Sequence, residues 1–316
     1  MSKSKWNPQD LEKLYTLRQE GLTWEELTEH FPGKTANALR KAFYNTMRSP
    51  TPVAPTLPKI LILDIETAPM EARVWGLFNQ NISLESVLKH TAIISWAAKW
   101  RGSDKVMYFD NRNKKDARDD KELCEGIHSL MQEADVIIWH NGDKFDKGKL
   151  YYRFAVHKLP EPGLYKSIDT LKIAKSKFYF DSNKLAHLTK LFCKKHVKLD
   201  HRKFPGNELW NQCLAGNLEA WKEMEDYNKV DVLALEELYF DHLAAYDTQS
   251  VNFSVYSTDF TFRCNCGSDD IRPIKGKFYV TKSKSKFQIY RCSRCGKLHR
   301  DSKNLLIKDK RDSMKV

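Results

Sequence analysis

The stretch Lys59 to Pro69, KILILDIETAP, sets two carboxylates, Asp64 and Glu66, into a run of large aliphatic side chains. A short apolar run rich in β-branched residues, bounded here by Pro58 and Pro69, reads as a buried strand. Side chains alternate along a strand, so Asp64 and Glu66 share a face. Two such carboxylates repel each other and are costly to desolvate. A divalent cation removes that cost, and hard oxygen ligands suit Mg²⁺ or Mn²⁺. A lone D-x-E would be better read as a polar strand end capping the next turn. The company further along the chain favours the metal.

That company is carboxylic and ordered. HNGDKFD, His140 to Asp146, follows the predicted strand Ala134 to His140 and offers Asp143 and Asp146. A loop at the end of a strand is where an α/β fold places function. Asp169 opens a helix predicted at Ile168 to Lys175, and Ser182 to Phe192 reads as another. Glu225 to Tyr246 reads as one long helix on which Tyr227 and Asp231 lie one turn apart. His140 and His187 match no ligand spacing and read as structural or substrate-adjacent.

Other elements must position these groups. Thr91 to Trp100 and Lys105 to Phe109 are predicted as a strand hairpin, followed by a helix over Asp120 to Glu133. Strands first, then strand–helix alternation, indicate an α/β fold with a mixed sheet and flanking helices. Upstream, residues 6–48 read as three short helices. Leu11, Leu14, Tyr15 and Leu17 recur at helical spacing and Gly21 stops the first. Thr23 with Glu26 forms a capping box for the second, and Thr35 caps the third. Leu39 and Phe43 face inward on that third helix, with Arg40, Lys41, Asn45 and Arg48 outward. Residues 49–58, SPTPVAPTLP, hold four prolines and predict an extended linker.

The formal net charge is +12. Residues 1–50 carry +2, residues 51–260 carry −1, and residues 261–316 carry +11. So local an excess, interleaved with aromatics, is the footprint of a nucleic-acid-binding module. The same segment holds four of the seven cysteines, Cys264-x-Cys266-Gly and Cys292-x-x-Cys295-Gly. Two pairs separated by strand-like sequence read as a Cys₄ zinc ribbon with one structural Zn²⁺. The C-x-C pair departs from the usual C-x-x-C, and His299 is an alternative ligand. Lys277 to Val280 and Lys286 to Arg291 are predicted as its two strands. Cys124, Cys193 and Cys213 read as small buried hydrophobes. No apolar run of membrane-spanning length and no secretion signal are visible, so the expected location is a reducing cytoplasm, that of the host if the protein is viral.

In order, DIETAP, EADVIIWHNGDKFD, IDTLK, SNKLAHL, LW and YNKVDVLALEELY resemble the DEDD exonucleases of the ribonuclease H-like superfamily, and in particular the stand-alone nucleases predicted in bacteria and bacteriophages. The resemblance covers about residues 58–246. It implies that Asp64, Glu66, Asp146 and Asp231 are metal ligands for two Mg²⁺ or Mn²⁺ ions and that Tyr227 helps position the attacking water. The subgroup would be the tyrosine one, since Asp226 stands where the other subgroup has histidine. Asp143 is the rival to Asp146. Asn141, Phe145 and Asp146 match the family's Asn-then-Phe-Asp arrangement, which favours Asp146. Two divalent ions about 3.5–4 Å apart activate a water and stabilise the leaving oxygen of a phosphodiester. The expected activity is 3′–5′ exonuclease on nucleic acid, DNA ahead of RNA. Residues 1–48 resemble a Myb-like helix-turn-helix module, with Trp6 and Trp24 in its core. The expected organisation is 1–48 helix-turn-helix, 49–58 linker, 59–250 nuclease, 260–300 zinc ribbon and 301–316 basic tail. The alternatives are an endonuclease on the same site, or a DNA-binding regulatory protein using the fold as a scaffold. No polymerase segment is visible, so a proofreading role, or one in replication or recombination, would need a separate partner chain.

Overall fold

The structure, a computed structural model, describes residues 6–48, 58–197, 203–247, 251–257 and 261–314. The chain divides into two compact units, residues 1–56 and 57–316. The proline-rich linker, apart from Pro58, lies outside the described residues, as do the side chains of Tyr15, Asn45 and Arg48.

The first unit holds α1 (Pro8–Gln19), α2 (Glu26–His30) and α3 (Ala36–Arg48). Its caps follow from the sequence. The Thr23 N–H donates to Glu26 Oε2 (2.7 Å) and the Glu26 N–H to Thr23 Oγ1 (3.3 Å), a reciprocal capping box. Thr35 Oγ1 accepts from the Ala38 N–H at 3.2 Å. Leu14, Leu27 and Leu39 are fully buried between the helices, with Trp6 packed on Phe31 and Trp24 on Phe43.

In the second unit the strands are β1 (Ile60–Ala68), β2 (Glu71–Ala72), β3 (Val87–Lys89), β4 (Ala92–Trp100), β5 (Val106–Asp110), β6 (Val136–Trp139) and β7 (Lys166–Asp169). Between and after them lie α4 (Lys121–Glu133), α5 (Asp146–Val156), α6 (Thr170–Lys177), α7 (Leu185–Phe192), α8 (Glu208–Leu214) and α9 (Leu218–Glu237). The five-stranded sheet has the order β5-β4-β1-β6-β7. β1 runs antiparallel to β4 and parallel to β6, so the sheet is mixed. The alternation along β1 divides the core. Ile60 and Ile62 pack with Val136, Ile138, Val232 and Leu235 on the α9 side. Leu61, Leu63 and Ile65 pack with Ile127, Met131, Leu150 and Phe154 on the side of α4 and α5. Asp64 and Glu66 continue the first series, so they project toward α9.

Two readings need correction. Ile168 and Asp169 end a parallel strand, β7, before the helix begins at Thr170; pairing with β6 overrides the local helical pattern. The last long helix starts at Leu218, seven residues ahead of Glu225, because the Asn217 side chain caps the Glu219 and Ala220 N–H groups. It ends at Glu237 and passes into a π-helical turn, Leu238–Leu243. The β2–β3 hairpin was not foreseen.

β8 (Ile271–Thr281), β9 (Ser285–Cys292) and β10 (Leu298–Arg300) form a second antiparallel sheet, and α10 (Lys308–Asp312) follows. This sheet belongs to the same compact unit: the Phe253 N–H donates to Asn265 O, and Lys297 Nζ donates to Asp247 O.

Asp120 ties the layers together. Fully buried, it accepts from Arg153 Nε and Nη2 at 2.7 Å and from the Ile93 N–H at 2.9 Å, and His157 Nε2 lies at 2.6 Å. Burial alone would raise its carboxyl, but Arg153, His157 and the Ile93 amide hold it below the ordinary aspartate range. Asp120→Asn is expected to cost about 3 kcal/mol by urea denaturation at pH 7, since it leaves the half-buried Arg153 without its counter-charge. A depressed carboxyl contributes stability above its unfolded pKa and loses that contribution as pH falls through the folded one. The gap between wild type and variant therefore narrows below about pH 4.

Candidate active site

The alternation of β1 and the pitch of α9 bring one oxygen each of Asp64, Glu66 and Asp231 within 4.8 Å of one another. Asp231 is 1% exposed, while Asp64 and Glu66 are half-buried. Between Glu66 and Thr67 the register of β1 against β4 slips by one residue, the extra residue, Ile94, lying on β4. Bulges end pairing and re-aim side chains next to sites of this kind.

Neutral donors orient the two β1 carboxylates. Asn228 Nδ2 donates to Asp64 Oδ2 at 2.5 Å, and the same amide accepts from Ser95 Oγ at 3.2 Å. Trp210 Nε1, on α8, donates to Glu66 Oε2 at 3.0 Å. Such donors fix a carboxylate without cancelling its charge, as outer-shell partners of metal ligands do. Tyr227 is buried, one turn before Asp231, and its ring meets Trp210 edge-on at 6.2 Å. The sequence reading passed over Asn228 and used Trp210 only as part of a pattern. Nothing in the local spacing marks either one, because each acts across a long sequence separation.

The loop between β6 and α5 separates the two rival aspartates. Asp146, 4% exposed at the first turn of α5, accepts from the Ile65 N–H at 3.4 Å, between the two β1 carboxylates. Burial, reinforced by the Asp169 carboxylate and opposed by backbone N–H groups, pushes its carboxyl up to about 7. Asp143 is turned to β7 and α6, where Lys172 Nζ lies at 2.5 Å and Ser167 Oγ donates to it. Asp169 shapes the loop itself. Its Oδ1 accepts from the Asn141 and Leu171 N–H groups, and its Oδ2 from that of Asp143. Asn141 takes φ +68°, and a Cβ on Gly142 would sit 2.0 Å from Trp139 Cγ, so only glycine fits there. His140 bonds Thr170 Oγ1 and Asn183 O, a structural use of both ring nitrogens.

Three clustered hard oxygens, with neutral donors behind them and a fourth buried carboxyl alongside, fit divalent cations of the Mg²⁺ or Mn²⁺ type. The four ribbon cysteines form a second donor set, all within 4.8 Å. Cys264 and Cys295 Sγ are 3.5 Å apart, and Cys266 and Cys292 Sγ 3.7 Å. A tetrahedron with Zn–S arms of about 2.3 Å has edges of about 3.8 Å, so these spacings fit zinc. His299 Nε2 stands 3.0 Å from Cys264 Sγ, beside the set.

A family model described as the RNase H superfamily matches residues 81–243, just over half of the chain. The span includes Asp146, Tyr227 and Asp231 and begins after β1. No curated protein matches the chain. Among solved structures, the family B DNA polymerase from the hyperthermophilic archaeon Pyrobaculum calidifontis is similar at 15% identity and a TM-score of 0.40. The match covers 58% of this chain and 24% of the polymerase, so this chain spans about a quarter of that protein. Among the described residues, no helix is long and apolar enough to cross a membrane.

Proposed function

This chain belongs to the ribonuclease H superfamily, and from that premise we propose that it is a metal-dependent 3′–5′ exonuclease of the tyrosine-bearing DEDD subgroup, acting on nucleic acid with DNA ahead of RNA. One observation carries the reading: Asp64, Glu66 and Asp231, from two elements far apart in sequence, converge to within 4.8 Å. Asp64, Glu66, Asp146 and Asp231 would hold two Mg²⁺ or Mn²⁺ ions. Those ions would supply Lewis acidity to the phosphate and a nucleophilic water at neutral pH. Asn228 and Trp210 keep the β1 carboxylates aimed into the site. Tyr227, buried one turn from Asp231, is the group to orient the attacking water.

The flanking modules serve the substrate in this reading. The β8–β9 hairpin presents Lys277, Tyr279 and Lys282 on its exposed surface, a pattern suited to phosphates and stacked bases. Its cysteines, Cys264, Cys266, Cys292 and Cys295, would hold a structural zinc. In the N-terminal unit, Arg40 and Lys41 are exposed on α3, the helix that would enter a DNA groove.

The test is a time course on 5′-labelled single-stranded DNA, and on RNA, with Mg²⁺ or Mn²⁺ against EDTA. The expected result is a metal-dependent ladder shortening from the 3′ end. A single internal cut would replace the exonuclease by an endonuclease. Binding without cleavage of either polymer would replace it by a scaffold role.

A further inference from the structure

The β2–β3 hairpin has a fixed root and an apolar tip. At the root, the buried Arg118 donates Nη1 to His90 O (2.8 Å) and Nη2 to Pro69 O (2.9 Å), and pairs with Glu71 at 2.7 Å. Thr91 Oγ1 donates to Ala68 O, and the Arg73 N–H to Ser86 O, both at 2.9 Å. The tip, Val74 to Leu84, has eleven residues and no charge. Within it Trp75 is 102% exposed, Leu77 90%, Phe78 82% and Leu84 81%. Soluble proteins rarely leave so dense an apolar patch uncovered unless something binds it.

The occupant is indicated by what the root adjoins. Both legs of the hairpin, at Met70 and at His90, line a groove of about 590 Å³. That groove begins at Thr67, next to Glu66, and runs past Phe145, next to Asp146, to Lys149 and Tyr152. It is lined by two lysines and no carboxylate. Phe145 and Tyr152 are each about 40% exposed along it. Lysines for phosphates and open aromatic faces for bases are the means of holding an unpaired strand. A strand in the groove passes the foot of the hairpin at Met70 and His90. An uncharged tip carrying Trp75 and Phe78 then has π-faces to offer the bases and no carboxylate to repel the phosphates.

We propose that the tip of this hairpin is a base-stacking site for an unpaired polynucleotide strand, outside the carboxylate cluster and reached from the groove past the hairpin's foot. The proposal rests on the nuclease reading for its substrate class, not for its geometry. The experiment uses the full chain carrying Asp64→Asn, in Mg²⁺, with (dT)₁₆ and (rU)₁₆ containing single 5-iodouracils. Photocrosslinking is expected to map by mass spectrometry to Trp75 or Phe78, and anisotropy to show about 10- to 100-fold weaker binding for Trp75→Ser/Phe78→Ser. An oligonucleotide with abasic positions should erase the difference between the two proteins. An unchanged thermal midpoint shows that the exposed substitutions leave the fold intact. Absence of crosslinks within residues 74–84, or binding within twofold of the parent on both oligomers, would overturn the proposal and leave the tip to a protein partner. If wild type cleaves nothing while the tip crosslinks, the nuclease reading fails and this one stands; cleavage without tip crosslinks gives the reverse.

Discussion

Asp64→Asn is expected to leave a folded protein whose nucleolytic rate is reduced at least about a thousandfold, because ion binding stabilises the transition state by several kcal/mol and each ~1.4 kcal/mol is tenfold. The substitution keeps the shape of the side chain and an oxygen for the Asn228 amide, now 2.5 Å from Asp64 Oδ2. What it removes is one of three negative charges within 4.8 Å. Without metal, those charges repel, so the variant should melt at the same temperature as wild type or somewhat higher. With metal the order reverses: Mg²⁺ or Mn²⁺ raises the wild-type midpoint through preferential binding to the native state and raises the variant's less. Activity lost in the presence of metal, together with equal or higher stability in its absence, is a combination that misfolding would not produce. Cleavage within tenfold of wild type, measured on the same labelled strand, would remove Asp64 from the chemistry.

What was legible in the sequence is what local pattern encodes. β1 could be read because its aliphatic run is long and its two carboxylates interrupt it with the period of a strand. That period also predicts the common face on which Ile60, Ile62 and Asp64 lie. Thr23 and Glu26 predicted a cap because a capping box is closed within four residues. What depended on distant partners was not legible. β7 has only one large apolar residue, Ile168, and is a strand because β6 offers it an edge. β2 is two residues long and is held by Arg118, 47 positions from Glu71. Asn217 could have placed the start of α9, since an asparagine after glycine and before Leu-Glu is an N-cap signal. The choice between Asp143 and Asp146 rested on resemblance in the sequence. In the structure the two part physically, one tied to Lys172 and one tucked under the Ile65 amide.

Cys292→Ser is expected to abolish zinc binding and to unfold residues 261–306 while the five-stranded sheet stays folded. The ribbon has little else to hold it. Beyond Cys264 and Cys292, Phe287 is its one buried hydrophobic side chain among the described residues. A segment of that size cannot stabilise itself on one aromatic ring. Sulfur separations of 3.5 and 3.7 Å are far from the ~2.05 Å of a disulfide, so no covalent bridge substitutes. Hydrogen bonding from Cys264 and from the Ser268 amide, against the opposing effect of burial, holds the Cys266 thiol down at about 5. At neutral pH the set thus offers a thiolate to an arriving metal, and a bound zinc would displace the remaining protons. Structural zinc in small domains binds with an apparent free energy of about 10–16 kcal/mol, and in a segment with this little core that binding is the folding energy. Elemental analysis should find one zinc per chain in wild type and none in Cys292→Ser. Limited proteolysis should cut the variant between 261 and 306 first. His299→Ala decides the ligand set: retained zinc leaves the four cysteines as ligands, and lost zinc puts His299 among them. A wild-type protein without zinc, as protease-resistant as it is after chelation, would contradict the ribbon altogether.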